Sequence, residues 1–221
     1  MKKFNILCNV DPIVSFNDSI IFNCVSLYYQ SEKLIAETSV CADSILKAER
    51  AGIRNVGEVI NALAIEVGSN IAYSLMTIEE KENFKTYTND DLLAELTVRV
   101  PFNLDMDIKT KRNYELANEN NKVRKVLRLV NDPNFVSWVN LYRVFEIVDR
   151  DQRIVDEGWL SSTKRTNFTR TANHPNASGD LSRHGTPKSE KEVPPVNPMK
   201  LEEAEVLIRS LVEKWFEKLA G

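Results

Sequence analysis

The chain has 221 residues, of which 43% are apolar, and this is enough for a packed core. No apolar run approaches the roughly 20 residues that a membrane-spanning helix needs, and the N-terminus lacks the apolar segment of a signal peptide. The formal net charge is −3, which does not place the whole chain among strongly basic proteins. These features predict a cytoplasmic protein without membrane contact, folded as a single domain over residues 1–221.

The N-terminal part is predicted to form a small antiparallel sheet. Residues 4–10, 19–30 and 33–41 are rich in Ile, Val, Tyr, Phe and Cys, as strands are. The polar residues 30–32 predict a hairpin between the second and third strands. Residues 92–100 favour a fourth strand, and residues 79–91 are expected to form an exposed loop.

A helix is predicted to cover this sheet. Asn55 is suited to cap it, and apolar residues then recur at steps of three and four as far as Ile71. Gly68 interrupts this stripe and is expected to kink or split the helix.

The C-terminal half is predicted to be mainly helical. Residues 109–128 form a basic amphipathic helix, and Asp132 with Pro133 is predicted to start a buried helix over residues 134–149. Asn197 and Pro198 are predicted to start the last helix, whose apolar residues recur at near-heptad steps. Its stripe is expected to pack on the body of the protein or on a second copy of the chain.

Several common enzyme motifs are missing from the sequence. Gly52 and Gly57 have the spacing of a phosphate loop, but Glu58 stands where that loop needs lysine. No GxGxxG, HExxH or GxSxG pattern occurs. Cys8, Cys24 and Cys41 match no metal-binding or CxxC spacing and are expected to be buried and reduced. We therefore predict no metal site and no cofactor.

Both histidines, His174 and His184, lie in one basic stretch. Residues 159–189 carry five cations against the single acid Asp180, and residues 109–128 carry seven cations against two acids. Histidine titrates near neutral pH, and clustered cations attract anions. A long loop over residues 158–198, rich in proline and hydroxyl side chains, is expected to present this chemistry.

Three interpretations of this stretch remain open. In the first, it binds a phosphorylated small molecule or a nucleic acid, with Phe168 beside Arg170 on one face of an extended segment. The side chains assigned to this binding are Lys164, Arg165, Phe168, Arg170, Asn173 and Arg183, joined by Arg124 and Arg128 of the basic helix.

In the second interpretation, His174 and His184 act as general base and general acid in a metal-independent ribonuclease. In the third, the loop is structural, and the protein is a subunit of an assembly that docks or self-associates through the helix over residues 199–219.

The same stretch resembles a known sequence pattern. The residues that carry the resemblance are Phe168, Thr169, Arg170, Thr171, Ala172, Asn173, His174, Pro175, Ser178, Gly179, Asp180, Arg183, His184, Gly185, Asn197, Pro198 and Met199. They resemble the C-terminal pattern of an uncharacterised group of bacterial proteins, over roughly the last quarter of the chain. The resemblance implies no activity, substrate or fold.

The sequence thus predicts an α+β fold. A small N-terminal antiparallel sheet covered by helices occupies residues 1–105, and residues 106–221 are mainly helical with a long basic loop before the last helix. The favoured function is binding of a phosphorylated or nucleic-acid ligand through the His-containing loop. Whether the protein is an enzyme is left open.

Overall fold

A computed structural model of the protein describes residues 1–11, 14–15, 19–22, 24–81, 85–88, 100–101, 104–187 and 193–221. The chain divides into two compact units, Met1–Asn131 and Asp132–Gly221. The single domain predicted for the whole chain stays a prediction. The α+β class and the N-terminal antiparallel sheet are confirmed.

The first unit contains both strands and helices. Its elements in chain order are β1 (Lys2–Asp11), β2 (Val14–Ser15), β3 (Ile20–Ile21), β4 (Val25–Gln30), β5 (Lys33–Ala42), α1 (Ile45–Val67), β6 (Ala72–Glu80), β7 (Lys85–Thr88), β8 (Val100–Pro101), α2 (Leu104–Glu119) and α3 (Asn121–Val130).

The main sheet has the strand order β3-β4-β5-β1-β6-β7, and every neighbouring pair is antiparallel. The predicted hairpin between β4 and β5 is confirmed, and its turn residues Ser31 and Glu32 both have positive φ. The exposed loop predicted for residues 79–91 is wrong at two places. Glu79 and Glu80 belong to the end of β6, and Lys85–Thr88 form β7, which pairs with β6. The predicted fourth strand over residues 92–100 lies outside the described residues except at Val100, which pairs in parallel with Val14.

Helix α1 packs against the buried face of β1 and is longer than predicted. Ser44 caps it by accepting a hydrogen bond from the Lys47 N–H, so the predicted start at Asn55 is wrong. Asn55 instead lies inside the helix and donates to the Thr38 hydroxyl. Gly68 has φ 70° and ends the helix in the left-handed conformation rather than kinking it.

The basic helix predicted over residues 109–128 is two helices, α2 and α3. Asn120 has extended backbone angles and accepts the Lys122 N–H at 2.9 Å, which starts a new helix there. Asn120 interrupts the helix because an asparagine side chain readily forms hydrogen bonds with nearby backbone groups.

The second unit is built from helices. Its elements in chain order are α4 (Trp138–Gln152), α5 (Ser162–Asn173), α6 (Pro175–Ser178), a single 3₁₀ turn (Gly179–Leu181) and α7 (Leu201–Ala220). The long loop predicted over residues 158–198 is therefore wrong where α5, α6 and the 3₁₀ turn lie.

Both predicted starts of the C-terminal helices are wrong by a few residues. Ser137 caps α4, whereas Asp132 forms a turn by accepting the Asn134 N–H at 2.7 Å. Helix α7 begins at Leu201. Its apolar stripe is buried within the unit and includes Trp215, whose indole donates to Asp151 at 2.9 Å. The stripe thus packs on the body of its own unit, which is one of the two predicted arrangements, and self-association through residues 199–219 stays a prediction.

Cys8 is buried as predicted, but Cys24 is half-buried and Cys41 is exposed. All three are free thiols. Over the ranges that the structure describes, no helix is both long and apolar enough to cross a membrane.

Candidate functional site

Helix α5 lies in the stretch where the sequence placed a loop. Ser161 caps it by accepting the Lys164 N–H at 3.2 Å, and His174 closes its C-terminal end. Phe168, Thr171 and Ala172 are buried on one face at steps of three and four. Residues 164–172 are therefore helical, and the extended segment that was to present Phe168 beside Arg170 is wrong.

The Phe168 ring lies in the core of the second unit. It is 0% exposed, its centroid is 4.8 Å from that of Phe145, and it stacks against Tyr142 at an interplanar angle of 11°. Trp138 is a further aromatic neighbour of this ring, with 6.2 Å between the two centroids. These contacts fix α5 on α4, and the ring has no open face on which a nucleic-acid base could stack.

His174 lies at the junction of α5 and α6 and is 1% exposed. Its Nδ1 atom accepts the Asn176 backbone N–H at 3.1 Å, which caps α6. An Nδ1 that accepts leaves the proton of a neutral ring on Nε2. This position gives the side chain a clear structural role, and its predicted role in catalysis stays a prediction.

Arg183 and His184 follow the 3₁₀ turn. The Arg183 N–H donates to the Ala172 carbonyl at 2.8 Å, and its guanidinium donates to Asn173 Oδ1 at 3.3 Å. His184 is half-buried, and its Nε2 atom has no hydrogen-bond partner among the described residues. Arg183 and Asn173, two of the predicted ligand-binding residues, thus contact each other.

Two further predicted cations are paired with acids. Arg165 donates from Nη2 and Nε to one oxygen of Asp149, at 2.6 and 3.2 Å, and this hydrogen bonding raises the pKa of Arg165 further. Lys164 lies 3.9 Å from Glu203. Asp149 therefore compensates the charge of Arg165 directly, whereas Lys164 and Glu203 form only a long, exposed pair.

Arg124 and Arg128 belong to the first unit. Arg124 is half-buried, lies 3.4 Å from Glu58 and donates to Asn121 Oδ1 at 3.0 Å. Arg128 is exposed in the last turn of α3.

Arg170, one of the predicted ligand-binding residues, lines a cavity that we call the α5 groove. The groove has a volume of about 510 Å³. It is lined by Ser162, Thr163, Thr166, Asn167, Arg170, Pro195, Val196 and Asn197. The Arg170 guanidinium donates to the Val193 carbonyl, which ties α5 to the segment across the groove.

The polar side of the α5 groove follows the turns of the helix. Ser162 and Thr163 lie in the first turn, Thr166 and Asn167 in the second, and Arg170 in the third. The first turn of α5 contains no acidic residue, so its positive dipole end is not compensated there by a carboxylate of the helix. A row of neutral hydrogen-bonding groups therefore leads to one guanidinium.

Sequence reasoning found Arg170 but missed the other seven residues of the groove. The spacing of Ser162, Thr166 and Arg170 at four-residue steps is a signal for one helical face. It has that meaning only after the segment is recognised as helical.

We compared the chain with known proteins and structures. No protein-family model matches it, and neither a curated protein nor a solved structure does. The function of this chain is consequently argued from the chemistry of its own residues.

Proposed function

We propose that the protein binds a small phosphorylated ligand in the α5 groove. The observation that carries this proposal is the position of Arg170, the one cation among the eight lining residues, at the end of a row of hydroxyl and amide groups. Arg170 receives the phosphate, and Thr166, Asn167 and Ser162 hydrogen-bond the polar remainder of the ligand.

Arginine is well suited to this role. Its planar guanidinium presents several N–H donors, so the hydrogen bond from Arg170 to the Val193 carbonyl leaves others for a ligand. The same bond holds the side chain in one place before the ligand arrives, which lowers the entropy lost on binding. Arg165 is paired with Asp149, and neither Arg165 nor Lys164 lines the groove, which makes Arg170 the favoured contact for the phosphate.

The dimensions of the α5 groove favour a ligand of sugar-phosphate or nucleotide size. From Ser162 to Arg170 the helix rises eight residues, which is about 12 Å at 1.5 Å per residue. The buried Phe168 ring supports a small ligand over single-stranded nucleic acid, because base stacking needs an exposed aromatic face.

We place this binding in the cytoplasm. Three free cysteines, one of them exposed, suit a reducing compartment. Fractionation of cells that produce the tagged chain would check this location.

Titration calorimetry on the full chain tests the proposal, with uridine 5′-monophosphate and ribose 5-phosphate as probes and uridine and ribose as matched compounds without phosphate. The phosphorylated member of each pair should bind at least about tenfold more tightly, because a hydrogen bond to a charged group contributes about 1.5–3 kcal/mol. Arg170→Ala should remove this difference.

Arg150→Ala is the matched control, since it deletes an exposed arginine of the same unit outside the α5 groove. It should leave both affinities unchanged, and the unfolding curves of both variants should show that they fold. Equal binding of ribose and ribose 5-phosphate, or equal losses in the two variants, would contradict the proposal.

A further inference from the structure

The two sides of the α5 groove differ in chemistry. The α5 side carries hydroxyl, amide and guanidinium groups, whereas the side across the groove is formed by Pro195, Val196 and Asn197, of which the first two are apolar. Among the described residues, Val196 is the most exposed large apolar side chain, at 94%. Its apolar surface therefore lines the groove and is open to water.

The apolar side is held in place at both ends. The Arg170 guanidinium donates to the Val193 carbonyl, and the Met199 N–H donates to the Thr171 hydroxyl at 3.1 Å. Three of the five residues between these two anchors are prolines, whose rings fix the backbone angle φ. A side constrained in this way loses little conformational freedom when a ligand packs on it.

A ligand that fits both sides needs a polar edge toward α5 and an apolar face toward Val196. The hydroxyl groups of a sugar phosphate would lose water against Pro195 and Val196 without gaining hydrogen bonds, which costs free energy. A nucleobase combines an apolar ring face with an edge of hydrogen-bond donors and acceptors. The amide of Asn167, which forms no hydrogen bond with any described residue, offers both a donor and an acceptor to such an edge.

We propose that the ligand of the α5 groove is a nucleoside monophosphate whose base packs on Pro195 and Val196. This inference rests on the phosphate binding proposed above, in which Arg170 receives the phosphate. The aliphatic pair supplies the flat contact that the buried Phe168 ring does not offer. Val196 is thus the residue that distinguishes a nucleotide from a sugar phosphate.

Titration calorimetry of the full chain with adenosine 5′-monophosphate, uridine 5′-monophosphate and ribose 5-phosphate tests this specificity. Both nucleotides should bind at least about fivefold more tightly than ribose 5-phosphate, which corresponds to the burial of about 40 Å² of apolar surface. Val196→Ser should remove this difference by weakening nucleotide binding, and it should leave the affinity for ribose 5-phosphate unchanged. In NMR spectra of the wild type, the ring current of a stacked adenine should shift the Val196 methyl signals, and ribose 5-phosphate should not.

The matched control is Val206→Ser, which changes a 69% exposed valine of the same unit outside the groove. It should leave all three affinities unchanged. Equal losses of nucleotide binding in the two valine variants would overturn the inference. So would phenyl phosphate, which has a ring face but no base edge, if it bound as tightly as adenosine 5′-monophosphate.

Failure of this inference is distinguishable from failure of the phosphate proposal. If ribose 5-phosphate bound through Arg170 as tightly as the nucleotides do, the role of Val196 would be refuted while phosphate binding held. If Arg170→Ala kept the preference for phosphorylated compounds, or if none of the three compounds bound, both proposals would be refuted.

Discussion

The Arg183 guanidinium lies over the ring of Tyr142, with 4.2 Å between its Cζ atom and the ring centroid. Tyr142 in turn stacks on the buried ring of Phe168. Arg183 thus connects the segment after the 3₁₀ turn to the aromatic core of the second unit.

A double-mutant cycle would measure this contact. In urea unfolding, Tyr142→Leu and Arg183→Gln should show a coupling energy of about 1 kcal/mol. The reason is that the interaction energy of a half-buried cation–π pair lies between that of an exposed pair and that of a desolvated pair. Arg150 lies eight residues beyond Tyr142 on α4, so Arg150→Gln with Tyr142→Leu should be additive. A coupling near zero for Arg183 would show that the stacking contributes nothing.

His174 should behave as a helix cap. His174→Asn retains an acceptor for the Asn176 N–H, whereas His174→Ala loses it. We expect the Asn variant to be about 1 kcal/mol more stable than the Ala variant in urea unfolding. Identical stabilities of the two variants would mean that the cap contributes nothing to the free energy of unfolding.

Gly57 of α1 lies against the end of the Tyr73 side chain from β6. A Cβ atom at this position would lie 2.4 Å from Tyr73 Oη and 3.2 Å from its Cζ. Gly57→Ala should therefore destabilise the protein by about 1–3 kcal/mol, although alanine is the better helix former. Adding Tyr73→Phe removes the shorter contact and should recover part of the loss in thermal unfolding. A Gly57→Ala variant more stable than wild type would contradict this packing.

Tyr114 should make the protein sensitive to alkaline pH. Burial, followed by the hydrogen bond with Cys24 Sγ at 3.0 Å, raises the pKa of Tyr114 to about 12. The folded state thus holds this proton more tightly than the unfolded chain, whose tyrosines titrate near pH 10. The contribution is complete below about pH 10 and is lost as pH rises toward about 12.

Tyr114→Phe keeps the ring beside Phe22 and removes the titrating group. Chemical unfolding at pH 9 and pH 11 should therefore show a smaller alkaline loss of stability in this variant than in wild type. The same loss in both proteins would assign the effect to other groups.

The sheet could be predicted because its strands carry their signal locally. β-Branched and aromatic residues crowd β1, β4 and β5, and the polar pair Ser31 and Glu32 marks the turn. The predicted starts of α1 and α4 were wrong. Asn55 and Asp132 are as well suited to cap a helix as the actual caps, Ser44 and Ser137, so residue type alone does not distinguish them.

Helix α5 could not be predicted from propensity. Its twelve residues include four threonines, a serine and two asparagines, which are weak helix formers. Tertiary packing of Phe168 on α4 stabilises it instead. The α5 groove could not be predicted from the sequence either, because its lining residues come together only when α5 and the segment before α7 are folded.

The most direct test of phosphate binding in the α5 groove is an NMR titration of the isotope-labelled full chain with ribose 5-phosphate. The Arg170 Nε–H signal and the amides of Ser162, Thr163 and Thr166 should shift together and saturate, and ribose at equal concentration should leave the Arg170 signal unmoved. Saturating shifts confined to residues outside the groove, or no shift of Arg170 with ribose 5-phosphate, would contradict the account.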